Sequence, residues 1–267
     1  MRTLQTLMNL KGRRAILTGA AGAIGKHMAI AIAELGGDLI LTDRPGSNYD
    51  DLLKTLSEFK LLNVDCIDCD LENESSRAEF IAKVLSKNYN INVLINNAGF
   101  VGASNLEGWV TSFENQTVET WRRALEVNLT SVFDFSKGFS NKIKQSGFGS
   151  IINVSSIYGI NGPDYSLYEN TPMGNPAAYA ASKGGIIQLT RWLATTLSPS
   201  IRVNAISPGG VFRNQPDSFV KKYSERTPLE RMATEEDFKG ITAYLASDLS
   251  AYVTGQNILI DGGWTVW

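Results

Sequence analysis

The chain has few of the side chains on which metal sites and histidine-based catalysis depend. Among its 267 residues are two cysteines, Cys66 and Cys69, and one histidine, His27. A structural zinc site needs about four ligands, and His27 lies far from the C-x-x-C pair in sequence. We therefore expect no metal and no catalytic triad built on histidine. The two cysteines are interpreted as structural thiols in a reducing compartment.

Long apolar runs and clusters of like charge are also missing. No apolar stretch approaches the roughly 20 residues needed to span a bilayer. The opening MRTLQTLMNLKGRR lacks the apolar core and cleavage site of a signal peptide. The 25 basic residues nearly balance the 27 acidic ones, and no basic block occurs. We therefore expect a cytoplasmic protein with neither a nucleic acid nor a membrane as its partner.

The sequence does contain a strict alternation of strand-like and helix-like segments. The strand-like ones are 13–18, 38–43, 61–68, 91–96, 150–156, 201–207 and 256–261. Helical patterns lie between them, including a long one over 118–145. Strands that are apolar almost throughout belong to a parallel sheet covered by helices on both faces. We predict an α/β fold, with residues 1–267 forming a single doubly wound Rossmann-type domain around a parallel seven-stranded sheet.

A glycine-rich turn, TGAAGAIG, joins the first strand to the first long helix. Its glycines permit a tight turn, close approach of backbone to a diphosphate, and close packing of helix on strand. The N-terminus of the helix presents free N–H groups to the anion. The turn therefore predicts a dinucleotide site that includes Gly19, Gly22, Ala23, Ile24 and Gly25.

An acidic residue, Asp43, ends the second strand, 18 residues after Gly25. A carboxylate there can accept hydrogen bonds from ribose hydroxyls and repels a 2′-phosphate, so the sequence favours NAD(H). NADP(H) stays open because Arg44 can pair with a 2′-phosphate. Asp43 is alternatively a turn residue. Asp70, with Leu71, lies either by the adenine or at the cap of the next helix.

A tyrosine and a lysine, Tyr179 and Lys183, lie one helical turn apart in NPAAYAASKGGIIQLTRW. Side chains at this separation can meet, although a surface lysine leaning over a tyrosine gives the same spacing. A phenol ionises near pH ~10, and a neighbouring ammonium lowers the cost of ionising it. The pair is therefore a candidate general acid/base.

Further motifs occur in a fixed order, and together they resemble the short-chain dehydrogenase/reductase family in its short form. They are TGAAGAIG, NNAG (96–99), VNLT with Asn128, INVSS with Ser156, Tyr179-x-x-x-Lys183, VNAISPGG (203–210) and TGQNILIDGG. The resemblance covers nearly the whole chain. It implies a dehydrogenase/reductase that uses NAD(P) and acts on CH–OH groups.

The resemblance also implies roles for single residues. Tyr179 is the general acid/base, Lys183 holds the nicotinamide ribose, Ser156 binds the substrate oxygen, and Asn128 holds a water that connects Lys183 to solvent. The remaining cofactor contacts implied are Asn96, Asn97, Ala98, Gly99, Pro208, Gly209 and Val211, in addition to Tyr179 and Lys183.

The sequence departs from the family pattern at three points. Ala23 stands where the short form has glycine, as in the extended members. Ser156 and Tyr179 are 23 residues apart, which is more than is usual. The threonine that normally follows the Pro-Gly pair is missing, and Arg213 lies near that place. Arg213 either meets an anionic group or is solvated.

Two segments, 157–178 and 209–233, follow strand ends and are predicted to form the substrate pocket. They are similar to those of short-chain dehydrogenases from bacterial surface-polysaccharide and nonulosonate sugar pathways. The first contains Tyr158, Asp164, Tyr165, Tyr168 and Glu169, which suit a hydroxylated small molecule. We therefore predict interconversion of a secondary alcohol and a ketone on a carbohydrate-like substrate. The alternatives are a sugar epimerase or dehydratase with tightly bound NAD, and a non-catalytic dinucleotide sensor.

The C-terminal sequence DGGWTVW is apolar for a chain end. Exposed apolar patches of this kind mark contact surfaces. We expect Trp264, Val266 and Trp267 to be buried at a subunit interface or against the substrate loop. The family resemblance implies a homo-tetramer or homo-dimer.

Overall fold

A parallel sheet of seven strands runs through the computed structural model, which describes residues 1–59, 62–101 and 106–267. Its order is β3-β2-β1-β4-β5-β6-β7. The strands are β1 Arg14–Thr18, β2 Asp38–Thr42, β3 Val64–Cys66, β4 Ile91–Asn96, β5 Gly149–Val154, β6 Ile201–Pro208 and β7 Asn257–Ile260. The predicted doubly wound sheet is confirmed, but β3 is shorter than predicted; Leu61 lies outside the described residues.

Helices connect the strands in the described chain. They are α1 Leu4–Met8, α2 Ala23–Glu34, α3 Asp50–Leu56, α4 Glu74–Ser86, α5 Val118–Leu125, α6 Ser131–Gln145, α7 Ala177–Leu197, α8 Asp217–Arg226 and α9 Lys239–Ala246. The predicted single helix over 118–145 is interrupted by a π turn, Glu126–Thr130, between α5 and α6. No helix among the described residues is long and apolar enough to cross a membrane.

The core lies on both faces of the sheet because successive strand residues point in opposite directions. Leu17 of β1 packs with α2, α3 and α9 on one face. Its neighbour Ile16 packs on the other face with α4, α6 and α7. Both faces of β4 and β5 are buried, which explains why apolar residues occupy successive positions in each strand.

The sheet reverses its direction of winding at β1, which pairs with β2 on one side and β4 on the other. The connections that leave β1 and β4 therefore diverge, and a crevice opens at the carboxyl ends of these strands. The glycine-rich turn, Asp43 and the NNAG segment all lie at this edge of the sheet. The fold thus brings the predicted cofactor residues together.

The packing of the core predicts that two phenylalanines of α6 contribute very differently to the stability of the fold. Phe139 is fully buried and packs edge-on against Phe80 and Phe135, whereas Phe133 is exposed. Phe139→Ala should lower the free energy of unfolding by about 3–5 kcal/mol. Phe133→Ala should change it by less than about 1 kcal/mol. Urea unfolding checks this, and equal losses for the two variants would contradict the packing.

Candidate active site

A cleft of about 990 Å³ lies at the carboxyl edge of the sheet. Its walls include every residue of the predicted cofactor set except Asn96: Gly19, Gly22, Ala23, Ile24, Gly25, Asp43, Arg44, Asp70, Leu71, Asn97, Ala98, Gly99, Tyr179, Lys183, Pro208, Gly209 and Val211. Ser156 also lines it. Asn128 lies behind the wall rather than in it.

The glycine-rich turn is packed too tightly for larger residues. Gly19 has a φ of +66°, a conformation that side chains disfavour. A Cβ on Gly25 would lie 2.1 Å from the Gly19 carbonyl oxygen. Helix α2 starts at Ala23, so its first N–H groups face the cleft. The alanine found in place of the usual glycine fits here as the first helical residue.

Asp43 directly follows β2 and bonds to the glycine-rich turn. Its Oδ2 accepts a hydrogen bond from the N–H of Ala21 at 2.9 Å. Its Oδ1 accepts bonds from the Arg44 N–H and the Ser47 hydroxyl. The carboxylate is therefore held at a set orientation on the cleft wall, while Arg44 is exposed beside it.

Asp70 does not cap α4, which excludes one of its two predicted roles. The cap is Asn73, whose side chain accepts a hydrogen bond from the Ser76 N–H. Asp70 accepts one from the Glu72 N–H and lies in the cleft wall. The guanidinium of buried Arg77 donates to the Leu71 carbonyl and fixes this segment.

The NNAG segment contributes its second asparagine to the cleft and not its first. Asn97 donates to the carbonyls of Thr18 and Gly19 at 3.0 and 3.1 Å, joining the segment to the glycine-rich turn. The expectation that Asn96 contacts the cofactor is wrong. Asn96 still belongs to β4, and its amide is buried in a 2.9 Å hydrogen bond to Asn153 of β5.

Tyr179, Lys183 and Ser156 meet where β5 ends against α7. The Lys183 side chain is 3% exposed, and its Nζ donates to the Val154 carbonyl at 2.9 Å. Nζ lies 5.7 Å from the centre of the Tyr179 ring. The Ser156 hydroxyl accepts a hydrogen bond from the Tyr158 N–H at 3.1 Å. The surface-lysine alternative is therefore wrong, because Lys183 is buried.

Burial acts in opposite directions on the two titratable groups. It raises the pKa of the Tyr179 phenol, which the nearby Ser156 hydroxyl partly offsets. It lowers the pKa of Lys183 to about 8, because a buried ammonium loses hydration. In the protein alone, burial thus outweighs the expected lowering of the tyrosine pKa by the ammonium.

Asn128 lies in the π turn and is fully buried. Its Oδ1 accepts a hydrogen bond from the Phe100 N–H at 2.5 Å, and its Nδ2 donates to Ser182 at 2.9 Å. The side chain therefore links the segment after β4 to the helix that holds Tyr179 and Lys183. π turns of this kind often occur at functional sites.

The segment after β6 closes one end of the cleft. A Cβ on Gly209 would lie 2.8 Å from the Cα of Asp261, so the backbone passes close to the C-terminal segment. Val211 pairs with Ala233 in an isolated parallel bridge. Arg213 lines the cleft and pairs with Glu235 at 2.6 Å. It is therefore not a freely solvated arginine.

The polar residues of segment 157–178 bind other parts of the protein rather than line this cleft. The hydroxyls of Tyr158 and Tyr168 are 2.5 Å apart. Asp164 pairs with Arg226 of α8, and Glu169 pairs with Lys222 at 2.8 Å. Tyr165 is exposed. The expectation that these groups meet the substrate directly is therefore not supported. None of the five lines the cleft, and all except Tyr165 already have partners in the described chain.

The C-terminal tryptophans have different environments. Trp264 is 1% exposed and packs with Ile157, Phe219 and Tyr223. Of the two predicted locations, a subunit interface or the substrate loop, Trp264 therefore lies against the substrate loop. Trp267 and Val266 remain exposed in the single chain.

Several cleft residues escaped the sequence analysis. They are Thr42, Cys69, Glu72, Phe100, Val101, Leu106, Glu107, Arg123, Val127, Val154 and Ser155. Thr42 could have been found, since it directly precedes Asp43 at a strand end. Arg123 could not, because it comes from α5 and reaches the cleft through a two-point contact with Glu72.

The wall of the cleft fits a dinucleotide. Gly22, Ala23 and Ile24 line the cleft at the start of α2, where the free N–H groups of the helix can bind a diphosphate. Thr42 is 1% exposed, lines the cleft, and has a hydroxyl without a hydrogen-bond partner in the described chain. Within the same residues, no group of three His, Cys, Asp or Glu side chains is arranged to hold a metal ion.

Comparison with known proteins assigns the chain to a family. A family model described as enoyl-(acyl carrier protein) reductase matches residues 19–265. The chain is 34% identical to 3-oxoacyl-(acyl-carrier-protein) reductase FabG of Thermotoga maritima, covering 96% of this chain and 99% of the relative. It is 33% identical to post-translational flagellin modification protein A of Campylobacter coli, with coverage of 96% and 99%. It is 30% identical to galactitol 2-dehydrogenase (L-tagatose-forming) of Cereibacter sphaeroides, with coverage of 98% and 99%.

Solved structures show the same fold with either cofactor. A short-chain dehydrogenase from Leptospira borgpetersenii with bound NAD+ is 33% identical, with a TM-score of 0.81 and coverage of 99% and 96%. A putative gluconate 5-dehydrogenase from Beutenbergia cavernae with bound NADP is 28% identical, with a TM-score of 0.85 and coverage of 98% and 100%. The chain belongs to the short-chain dehydrogenase/reductase family. It is an NAD(P)-dependent oxidoreductase of secondary alcohols and ketones.

The buried lysine predicts a pH dependence of stability. Because folding lowers the pKa of Lys183 to about 8 from 10.5, the unfolded chain binds more protons above pH 8. The free energy of unfolding contributed by this group therefore rises with pH. Relative to Lys183→Met, the cofactor-free wild type should gain roughly 2 kcal/mol between pH 7 and 9.5.

Urea unfolding at several pH values measures this difference, with exposed Lys144→Met as the control for the loss of one charge. The free energy of unfolding of the wild type minus that of Lys183→Met should rise with pH. If this difference stays constant or falls, the effect of burial on Lys183 is contradicted.

Proposed function

We propose that this protein is an NAD(H)-dependent dehydrogenase of a hydroxylated, carbohydrate-like substrate, with Tyr179 as its general acid/base. The observation that supports this most strongly is the meeting of Tyr179, Lys183 and Ser156 at one end of a cleft whose other end contains Asp43. NAD(H), when bound, supplies the hydride acceptor or donor. The protein supplies orientation and proton transfer.

In this proposal the phenol of Tyr179 exchanges a proton with the substrate oxygen. The Ser156 hydroxyl lines the same wall and orients that oxygen by a hydrogen bond. The ammonium of Lys183 holds the nicotinamide ribose and stabilises the phenolate, which burial alone disfavours. A positioned acid/base of this kind contributes roughly 10²–10⁴-fold to the rate.

Asn128 takes a positioning role in the proposal. Its buried amide connects Phe100 to Ser182, the neighbour of Lys183. A Cβ on Gly99 would lie 3.6 Å from Lys183 Nζ and 3.7 Å from Asn128 Oδ1, so the three residues meet at the back of the cleft. We propose that a water at this place joins Lys183 to solvent.

The preference for NAD(H) is based on Asp43. Its carboxylate is fixed by the Ala21 N–H on the cleft wall, where it would meet the adenosine ribose hydroxyls and repel a 2′-phosphate. Thr42, Asp70 and Leu71 would complete the adenosine end. Solved relatives bind NAD+ or NADP, so the family alone does not decide the preference.

A carbohydrate-like substrate is supported by the relatives and by the cleft. Galactitol 2-dehydrogenase is among them. The hydroxyls of Ser156 and Tyr179 line the cleft, as does the exposed residue Glu107. These groups suit a substrate with several hydroxyls, including those of surface-polysaccharide pathways.

We further propose a homo-oligomer in the cytoplasm. Apolar side chains of α5, α7 and the C-terminus are exposed in the single chain: Val118, Trp121, Trp192, Val266 and Trp267. A dimer or tetramer would cover them. Cys66 and Cys69 are free thiols, as suits a reducing compartment.

The catalytic proposal predicts that Tyr179→Phe abolishes turnover and leaves NADH binding intact. The hydroxyl moves the proton, but the ring still fills the wall. We expect a fall of roughly 10²–10⁴-fold in kcat against a panel of sugar alcohols and keto-sugars. The control is Tyr165→Phe, which removes an exposed phenol outside the cleft.

Wild-type rates in Tyr179→Phe would contradict the mechanism. Purified protein that retains NAD and changes its substrate without net NADH turnover would instead support the epimerase or dehydratase alternative.

The cofactor proposal predicts that Asp43→Asn reverses the preference between the dinucleotides. The amide keeps the shape of the carboxylate but no longer repels a 2′-phosphate. NADH affinity should fall by about tenfold, as for a lost hydrogen bond to a charged group, while NADPH binding improves. Quenching of tryptophan fluorescence measures both, with exposed Asp51→Asn as the control. Tighter NADPH than NADH binding in the wild type would show that Arg44 decides the preference.

A further inference from the structure

Arg213 is a basic side chain fixed to the cleft wall by a replaceable partner. One of its guanidinium nitrogens lies 2.6 Å from Oε1 of Glu235 and 2.7 Å from the Phe212 carbonyl oxygen. The bridge between Val211 and Ala233 holds this segment in place. The Arg213 and Glu235 side chains retain 38% and 27% exposure, so the pair is weak and open to exchange.

The packing of neighbouring residues indicates that the Arg213–Glu235 pair lies on the side of the cleft formed by α2. Val211 and Ile24, the second residue of α2, pack against the same core cluster. Helices α2 and α9 both connect parallel strands and therefore run in the same direction. Lys239 at the start of α9 reaches Glu34 at the end of α2. Glu235 begins the short turn that precedes Lys239. It therefore lies nearer than Lys239 to the start of α2 and to the glycine-rich turn.

Of the other three basic groups of the cleft, two already have side-chain partners. In the described part of the chain, Arg44, Arg123, Lys183 and Arg213 line it. Arg123 makes a two-point contact with Glu72, and Lys183 is buried against Val154. Arg44 lies beside Asp43, at the end of the cleft proposed above for the adenosine. Arg213, in the same cleft as the first residues of α2, is therefore our candidate for the cation that neutralises an anion there. Its planar guanidinium matches phosphate oxygens well.

We propose that Arg213 binds the diphosphate of the cofactor, and that Glu235 holds it in position until the cofactor arrives. The diphosphate then replaces Glu235 as the partner of the guanidinium. This inference depends on the dinucleotide site proposed above. It assigns to Arg213 a binding role in place of the threonine that this sequence lacks.

The first test compares ligands with and without the diphosphate. Arg213→Gln should weaken NADH and ADP-ribose binding by about tenfold, as for the loss of a charge-assisted hydrogen bond, and leave adenosine binding unchanged. Arg213→Lys should restore part of the affinity. Arg191→Gln, on an exposed arginine outside the cleft, is the control for net charge.

The second test asks whether Glu235 acts through Arg213. Glu235→Gln should tighten NADH binding a few-fold by releasing the guanidinium. In the Arg213→Gln/Glu235→Gln double variant this gain should disappear, because the two residues are coupled. The same gain with and without Arg213 would show that Glu235 only repels the ligand, and would contradict the exchange.

The outcomes separate this inference from the function on which it depends. Wild-type protein that binds neither NADH nor ADP-ribose would overturn the dinucleotide site itself. Binding of both that is unchanged by Arg213→Gln would overturn the role of Arg213 alone. If that variant raises only the KM for an anionic substrate, the guanidinium recognises the substrate and the diphosphate proposal is wrong.

Discussion

The site depends on the burial of one charge, the ammonium of Lys183, against the Val154 carbonyl oxygen at the end of β5. A buried ammonium is costly unless it is hydrogen-bonded, so this contact sets how α7 lies on the sheet. The approach requires Gly159, where a Cβ would lie 2.8 Å from the Lys183 carbonyl group. With α7 held there, Tyr179 comes next to Ser156, and the proposed catalytic set is assembled in the protein alone.

The same arrangement explains why the cofactor end and the catalytic end form one cleft. Asn97 connects the NNAG segment to the glycine-rich turn, and Asn128 connects the next residues to α7. Side-chain amides that hydrogen-bond to neighbouring elements fix distances which apolar packing alone would leave adjustable. The partly exposed ion pair of Arg213 and Glu235 is, in our proposal, a contact of the cleft wall that exchanges its partner when the cofactor binds.

Much of this architecture was predictable from sequence, and the exceptions have physical reasons. Strand and helix periodicity predicted the parallel sheet, and the glycine spacing predicted the turn before α2, because both depend on local geometry. The roles of Asp164 and Glu169 could not be predicted, since their partners Arg226 and Lys222 are distant in sequence. Asn96 and Asn97 are neighbours whose side chains bind different elements, because β4 ends at Asn96. The sequence does not show where the strand ends.

The most direct test of the account is a crystal structure of the protein with NADH. The account predicts that the Asp43 carboxylate accepts hydrogen bonds from the adenosine ribose, that Lys183 Nζ bonds to the nicotinamide ribose, and that the nicotinamide lies beside Tyr179. A dinucleotide bound outside this cleft, or bound with its nicotinamide away from Tyr179, would contradict the central claim that one cleft serves both cofactor and catalysis.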